Sequence, residues 1–324
     1  GLLERSEAFN PVKLFERLED FYWRWCDGEF IDADGTTLPQ QKMRQLKAQL
    51  PEQASYFGQR QVDVYAGLNV MIVLLELHRY AKEKEEKLDI QFYPSGPPNE
   101  EGKLEDPRLL LRLMGYSECL GNYGFLYVMD CFLSSIELSG TDLSGAILIE
   151  ADLSGANLKK AILIKAILHD TDFSGTDLRG ADLSSADLSG SDISSGQLTG
   201  VDFHYANLSI VNFSEAELLS ANLHGANVRN TNFEGAKLNR ADLSCADLSG
   251  ANLRYADLSR ANLRKADLTS ADLTSANLTS ADLTGVDLSD AELRNIISWD
   301  LWQEGWDKVR GLETAHNIPE AIQQ

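Results

Sequence analysis

The sequence predicts a four-sided β-solenoid that follows a separate α-helical region and ends in a short α-helical cap. Three observations support this architecture. From Leu138 to Leu293 every fifth residue is Leu, Phe, Ile or Val. The residue two positions earlier is Ala in most repeats. Both flanking regions instead carry apolar residues at helical spacing, so the periodicity changes at each end of the repeat.

A period of five fits neither of the two simple elements. On a helix, five steps of about 100° leave successive apolar side chains about 140° apart, and on a flat strand an odd period alternates between faces. A chain that turns a corner every five residues lets every apolar residue point inward, and four pentapeptides then close one square coil. We call the apolar residue the centre, its neighbours the pre-centre and post-centre positions, and the second residue after it the corner. The corner is often glycine, as at Gly145 and Gly155, which suits the positive φ of a type II turn.

Segments such as Ala151-Asp152-Leu153-Ser154-Gly155 resemble the pentapeptide-repeat family, whose repeat is Ala, then Asp or Asn, then Leu, then any two residues. The resemblance covers about half of the chain and extends to cyanobacterial members with an added N-terminal helical domain. It implies a right-handed quadrilateral β-helix of about eight coils. Residues 191–200 depart most from the pattern, at Gly196 and Gln197, and we predict a local bend there.

The repeat sets the expected domain boundaries at 1–130, 131–295 and 296–324. In the first region, apolar spacing predicts helices over Pro11 to Cys26 and over about 39–50, 61–86, 106–114 and 121–133. After the repeat, an apolar stripe predicts an amphipathic helix over 299–312. Solenoid ends expose apolar cross-sections. We therefore expect this helix to cap the last coil with Trp299, Trp302 and Trp306.

Composition narrows the class of function. The formal net charge is −21, and all three regions are acidic, which disfavours direct binding to nucleic-acid phosphates. No apolar run is long enough for a membrane span. The four cysteines fit neither a zinc motif nor a disulfide framework, so a reducing cytoplasm is the expected location.

Motifs for catalysis or metal binding are not found in the sequence. The five histidines form no paired-ligand motif, although His204 and His224 are twenty residues apart and should stack on one face. The acidic loop from Asp27 to Asp34 lacks the spacing of a calcium-binding EF-hand. The sequence therefore predicts no enzyme activity, no catalytic residue, no cofactor and no metal.

Isoleucines replace the expected polar residues at one end of the repeat. Ile147, Ile162 and Ile167 occupy pre-centre positions, and Ile149 and Ile164 occupy post-centre positions. We call these five residues the isoleucine patch. An outward apolar cluster on a polar rod needs a cover. Two interpretations stay open: the patch seats the N-terminal region, or it contacts a protein partner or a second copy of the chain.

The sequence thus favours a non-catalytic protein–protein interaction scaffold or regulatory protein, present as a monomer or homodimer. One alternative is an acidic DNA-mimic inhibitor of DNA gyrase, because pentapeptide-repeat proteins of the quinolone-resistance type are acidic rods. Against it, the repeat of this chain has no inserted loops, its acidic charge is diluted by basic residues, and a large N-terminal region precedes it. A second alternative is an enzyme activity within residues 1–130, for which no motif names a reaction.

Overall fold

The computed structural model describes residues 10–27, 52–84, 88–101, 103–117, 120, 124–129, 132–297 and 309–318, with side chains of the second range from Val64 onward. The chain divides into two compact units, Gly1–Phe132 and Leu133–Gln324. The helix expected over about 39–50 and the three cap tryptophans, Trp299, Trp302 and Trp306, lie outside the described residues.

The first unit contains four described helices: α1 (Pro11–Cys26), α2 (Glu52–Glu83), α3 (Leu109–Ser117) and α4 (Gly124–Met129). The prediction for α1 is confirmed at both ends. Asn10 caps this helix, since its Oδ1 accepts a hydrogen bond of 3.0 Å from the Lys13 amide, and Pro11 takes the first turn. The other three helices form near their expected places with shifted bounds. Among the described helices, none is long and apolar enough to cross a membrane.

The core of this unit forms where α1 crosses α2. Gly67 makes the close approach possible, because a Cβ at this position would lie 1.9 Å from Cε2 of Trp25. Tyr22 is fully buried beside them, its ring meets the Phe92 ring edge-on at 5.1 Å, and its hydroxyl donates to the Pro94 carbonyl at 2.8 Å. The segment after α2 is therefore held against α1 by both an aromatic contact and a buried hydrogen bond.

The second unit is a solenoid in which each pre-centre residue pairs with the pre-centre residue twenty positions later. Parallel bridges join pre-centre residues from Glu137↔Asn157 to Asn277↔Ile297. Three backbone hydrogen bonds cross between coils in each pentapeptide, as in Ile162 N–H to Thr141 (2.9 Å), Leu143 N–H to Ile162 (2.7 Å) and Gly145 N–H to Ile164 (2.9 Å). The ladder keeps this register through Gly196 and Gln197, so the departures in residues 191–200 do not interrupt the coil as a bend there was expected to do.

A turn closes each pentapeptide. The Ala146 amide donates to the Leu143 carbonyl at 2.9 Å, and Gly145 at the corner has a φ of +70°, as a type II turn requires. Every fifth residue from Ser135 to Asn295 has a positive φ, and most of these residues are not glycine. The ladder therefore imposes the left-handed corner even where the side chain opposes it at a cost of about 1–2 kcal/mol.

The interior is filled by the centres and by the small residues two positions before them. Phe173, Ile193, Phe213 and Phe233 form one internal column and are fully buried, as predicted. At three interior positions that carry Thr or Ser in place of Ala, the hydroxyl donates at 2.7 Å to a centre carbonyl of the preceding coil. These pairs are Thr171 with Leu148, Ser191 with Leu168, and Thr231 with Leu208. At these three positions the buried hydroxyl is therefore compensated inside the core.

The C-terminal segment departs from the predicted helix. Residues 309–318 are not helical: Arg310 forms a parallel bridge with Asp287 and His316 forms one with Glu292. The prediction of a helix over 299–312 is therefore wrong for its described residues, 309–312. The open edge of the last coil offers free backbone donors and acceptors, and pairing with them outweighs the local apolar stripe. The offsets of 23 and 24 residues show that the chain leaves the five-residue register here.

We expect Phe213→Ala to lower the free energy of unfolding of the rod by about 3–5 kcal/mol, because it leaves a large cavity in the internal column. Phe213 stacks on Phe233 with ring centroids 5.2 Å apart and meets Phe203 edge-on at 5.8 Å. Phe213→Leu, which installs the commonest centre residue, should cost less. Urea unfolding followed by circular dichroism measures both, and equal losses would contradict this view of the packing.

Candidate functional site

The pre-centre Asp and Asn side chains cap the backbone of their own repeat. In each pentapeptide the ladder and the turn use four amide groups, and the post-centre amide is left over. The pre-centre carboxylate or amide oxygen accepts from it, as in Ser144 N–H to Asp142 at 3.0 Å and Ser184 N–H to Asp182 at 3.0 Å. These outward side chains therefore complete the hydrogen bonding of the coil.

Side-chain ladders run along the same positions between coils. The Nδ2 atoms of Asn212, Asn232 and Asn252 each donate to the pre-centre residue of the preceding coil at 2.9–3.1 Å. Three arginines bind carboxylates eighteen residues later at 3.0–3.3 Å. These pairs are Arg229–Asp247, Arg254–Asp272 and Arg264–Asp282. The polar outer surface thus contributes mainly to coil stacking.

The isoleucine patch interrupts this arrangement. Ile147, Ile162 and Ile167 expose 41, 36 and 38% of their surface, while Ile149 and Ile164 are half-buried. Ile147 and Ile167 are bridge partners in neighbouring coils, and Ile162 lies on the adjacent face. The structure therefore places the five predicted residues on two adjoining faces of two neighbouring coils.

The pre-centre isoleucines of the patch also leave the post-centre amides of their repeats without a side-chain cap. An isoleucine side chain has no acceptor, so the amides of Ile149, Ile164 and His169 lose the bond that Asp or Asn supplies in other repeats. A hydrogen bond of this kind contributes about 0.5–1.5 kcal/mol. At these three positions the chain has apolar surface where most other repeats have a stabilising polar contact.

The two stacked histidines are engaged in local contacts. Nδ1 of His204 lies 2.8 Å from Oδ1 of Asp202, and Nδ1 of His224 lies 2.8 Å from the Ser244 hydroxyl. The Tyr205 ring packs edge-on against both imidazoles, at 5.6 and 5.5 Å. Among the described residues, no three His, Cys, Asp or Glu side chains are grouped to hold a metal ion.

A cleft of about 410 Å³ lies in the first unit, and sequence reasoning did not find it. Trp23 and Cys26 line it from α1, Ser95 from the loop after α2, and Asp106 and Arg112 from the region of α3. The Ser95 hydroxyl is buried and has no hydrogen-bond partner among the described residues. These residues come from three distant segments, so no local motif could have indicated their convergence.

The pKa values of two acidic groups in this cleft, a thiol and a carboxyl, are shifted from their ordinary values. Burial raises the pKa of the Cys26 thiol to about 12. A hydrogen bond from Arg112, with 2.6 Å between the guanidinium and the carboxylate, lowers the pKa of Asp106 below its ordinary value. Near neutral pH the cleft therefore holds a neutral thiol and an ion pair, and its cysteine is poorly suited to nucleophilic chemistry.

We expect iodoacetamide at pH 8 to alkylate Cys245 and to spare Cys26. The reactive species is the thiolate, which burial suppresses at Cys26, while Cys245 is exposed at a corner of the rod. Peptide mapping by mass spectrometry after a short reaction measures both sites. Labelling of Cys26 under urea is the control, and equal native labelling of both cysteines would contradict its burial.

We also expect the rod to lose stability in acid. Burial acts to raise the pKa of Asp247, but hydrogen bonds from Ser249 and the Arg229 pair outweigh it, so the pKa is lowered overall. Asp272 and Asp282 behave alike through Thr274 and Thr284. The pKa values are lower in the folded than in the unfolded state, so this stabilisation is present above the ordinary Asp range, near pH 4, and is lost as pH falls through the folded values.

Thermal unfolding followed by circular dichroism from pH 6 to pH 2.5 checks this expectation. The variant Asp247→Asn keeps the oxygen acceptor and removes the titrating group. Its unfolding midpoint should therefore depend less on pH than that of the parent chain. An identical pH dependence in both proteins would remove Asp247 from the explanation.

Comparison with known proteins identifies the repeat. The family model described as pentapeptide repeats matches in overlapping segments across residues 136–295, with 8 copies. No curated protein matches the chain. Among solved structures, HetL of the cyanobacterium Nostoc sp. strain PCC 7120, a pentapeptide-repeat protein involved in heterocyst differentiation regulation, is 33% identical. The match covers 51% of this chain and 84% of HetL, with a TM-score of 0.37.

Two further structures are similar over the repeat. A pentapeptide-repeat protein of the Arabidopsis thaliana thylakoid lumen is 29% identical over 39% of this chain and 88% of its own, with a TM-score of 0.32. QnrB1, a plasmid-mediated fluoroquinolone resistance protein, is 21% identical over 54% of this chain and 89% of its own, with a TM-score of 0.40. The family match and the unbroken five-residue register together show that this chain belongs to the pentapeptide-repeat family, whose members fold as right-handed quadrilateral β-helices.

Proposed function

We propose that this chain is a non-catalytic scaffold whose rod, of about eight coils, binds a protein partner through the isoleucine patch. The observation that carries this proposal is the exchange of polar caps for exposed isoleucines at 147, 162 and 167. Elsewhere in the described rod the pre-centre side chains mostly hold the coils together. At the patch they make no such bond and present apolar surface instead.

The chemistry of the rest of the rod agrees with a binding role. The described ionisable side chains of the outer faces are largely committed to caps and ion pairs with their neighbours. A rigid rod with a local apolar surface is suited to hold a partner at a fixed position along its length. The partner is a protein with a complementary apolar surface, and a second copy of this chain is one such protein.

The test compares the parent chain with the triple variant Ile147→Asp, Ile162→Asp, Ile167→Asp. Proteins captured from a lysate of the source organism are quantified by mass spectrometry, and sedimentation of the purified chains reports self-association. We expect the triple variant to lose the captured partner or the self-association. The control variant Ile210→Asp removes an isoleucine that is 66% exposed at a corner outside the patch and should bind as the parent does.

Thermal unfolding of the same proteins separates a partner surface from a seat for the first unit. The three new carboxylates restore the backbone caps, each contributing about 0.5–1.5 kcal/mol. A free surface therefore predicts an unfolding midpoint at or above that of the parent. A midpoint several degrees lower, with capture and sedimentation unchanged, would show that the patch serves packing within the chain and would refute the proposal.

A further inference from the structure

Two arginines stand side by side at one corner of the rod. Arg240 and Arg260 are twenty residues apart, are exposed, and occupy consecutive corners on one edge of the rod, two residues after the centres Leu238 and Leu258. The Arg240 amide donates to the Ser259 carbonyl at 3.0 Å, which places the two residues in adjacent coils. Adjacent coils are separated by about 4.8 Å, so the two arginine side chains start from backbone positions that lie close together.

Neither guanidinium has a carboxylate partner among the described residues. In the same part of the rod, Arg229, Arg254 and Arg264 each lie within 3.3 Å of an aspartate. The acidic side chains beside Arg240 and Arg260 are occupied by other donors. Glu217 pairs with Lys237 at 2.7 Å, and Asp257 accepts from the Ser259 amide and from Nδ2 of Asn277, both at 3.0 Å.

The arginines border a polar cleft of about 470 Å³. Its other lining residues are Leu219, Asn239, Ser259, Asn277 and Thr279. Thr279 donates its hydroxyl to Asn277 at 2.7 Å. The side-chain amide of Asn239 and the side-chain hydroxyl of Ser259 form no hydrogen bond with another described residue. The cleft therefore combines two guanidinium groups with two further uncommitted donors.

We propose that this cleft binds a phosphate group. Two like charges in adjacent coils repel each other until an anion lies between them, and the rest of the rod is acidic, so the positive charge is local. A carboxylate has two oxygens and is satisfied by one arginine fork, whereas a phosphate dianion has enough acceptor oxygens for both forks and a neutral donor. The site is independent of the isoleucine patch, which lies in other coils, so either proposal can fail alone.

The first experiment is calorimetric titration of the full chain with inorganic phosphate, at an ionic strength held constant with chloride. It uses the double variant Arg240→Gln, Arg260→Gln. The matched control is Arg254→Gln, Arg264→Gln, which removes the same charge from paired arginines of the same part of the rod. We expect the parent and the control to bind phosphate, and the double variant in the cleft to bind it at least about tenfold more weakly. Phosphate should also raise the unfolding midpoint of the parent and the control only.

The second experiment distinguishes the sources of the phosphate group. A short phosphoserine peptide and its unphosphorylated form are titrated against the same proteins. Tighter binding of the phosphopeptide than of inorganic phosphate identifies a phosphorylated protein segment as the ligand, and the reverse order identifies a free phosphate compound. The proposal is overturned if the parent binds neither probe at millimolar concentration, or if the cleft variant and the control lose affinity equally, which would indicate a general charge effect.

Discussion

Pairing of each coil with the next is the constraint on which the rest of the rod depends. Four of the five amide groups in a pentapeptide are used by the ladder and the turn, and in most repeats the fifth is capped by the pre-centre side chain. A backbone that uses four of every five amides in the ladder and the turn has little freedom to change register. This explains why the coil continues through Gly196 and Gln197, and why non-glycine residues accept the left-handed corner.

Much of the rod could be predicted from the sequence, because each of its positions has a purely local signature. The centres, the small residues and the positive φ at the corners follow from a five-residue repeat that must keep one side chain inside. The capping role of Asp and Asn was not foreseen, since it depends on knowing which amide the ladder leaves unpaired. The described C-terminal residues were mispredicted, because pairing at an open edge is a tertiary effect that overrides an apolar stripe.

The first unit shows the opposite balance. Its helices follow from apolar spacing and, for α1, from Asn10 and Pro11 at the helix start. Its cleft does not, because Trp23, Ser95 and Arg112 belong to separate segments that only the fold brings together. The isoleucine patch lies between these cases. The repeat predicted that its members share neighbouring positions, while the backbone caps that they forgo become visible only in the hydrogen bonds of the other repeats.

The regular corner has a consequence for how such a chain can change length. Removing one pentapeptide preserves the five-residue pattern of the backbone, yet it turns everything beyond the deletion by a quarter of a revolution. The number of repeats therefore sets the angle, about the rod axis, between the isoleucine patch of the early coils and Arg240 and Arg260 of the later ones. Only the gain or loss of a whole coil, which is four pentapeptides, keeps the two surfaces pointing in the same relative direction. The relative orientation of surfaces that are far apart on the rod therefore depends on the number of repeats between them, without any direct contact.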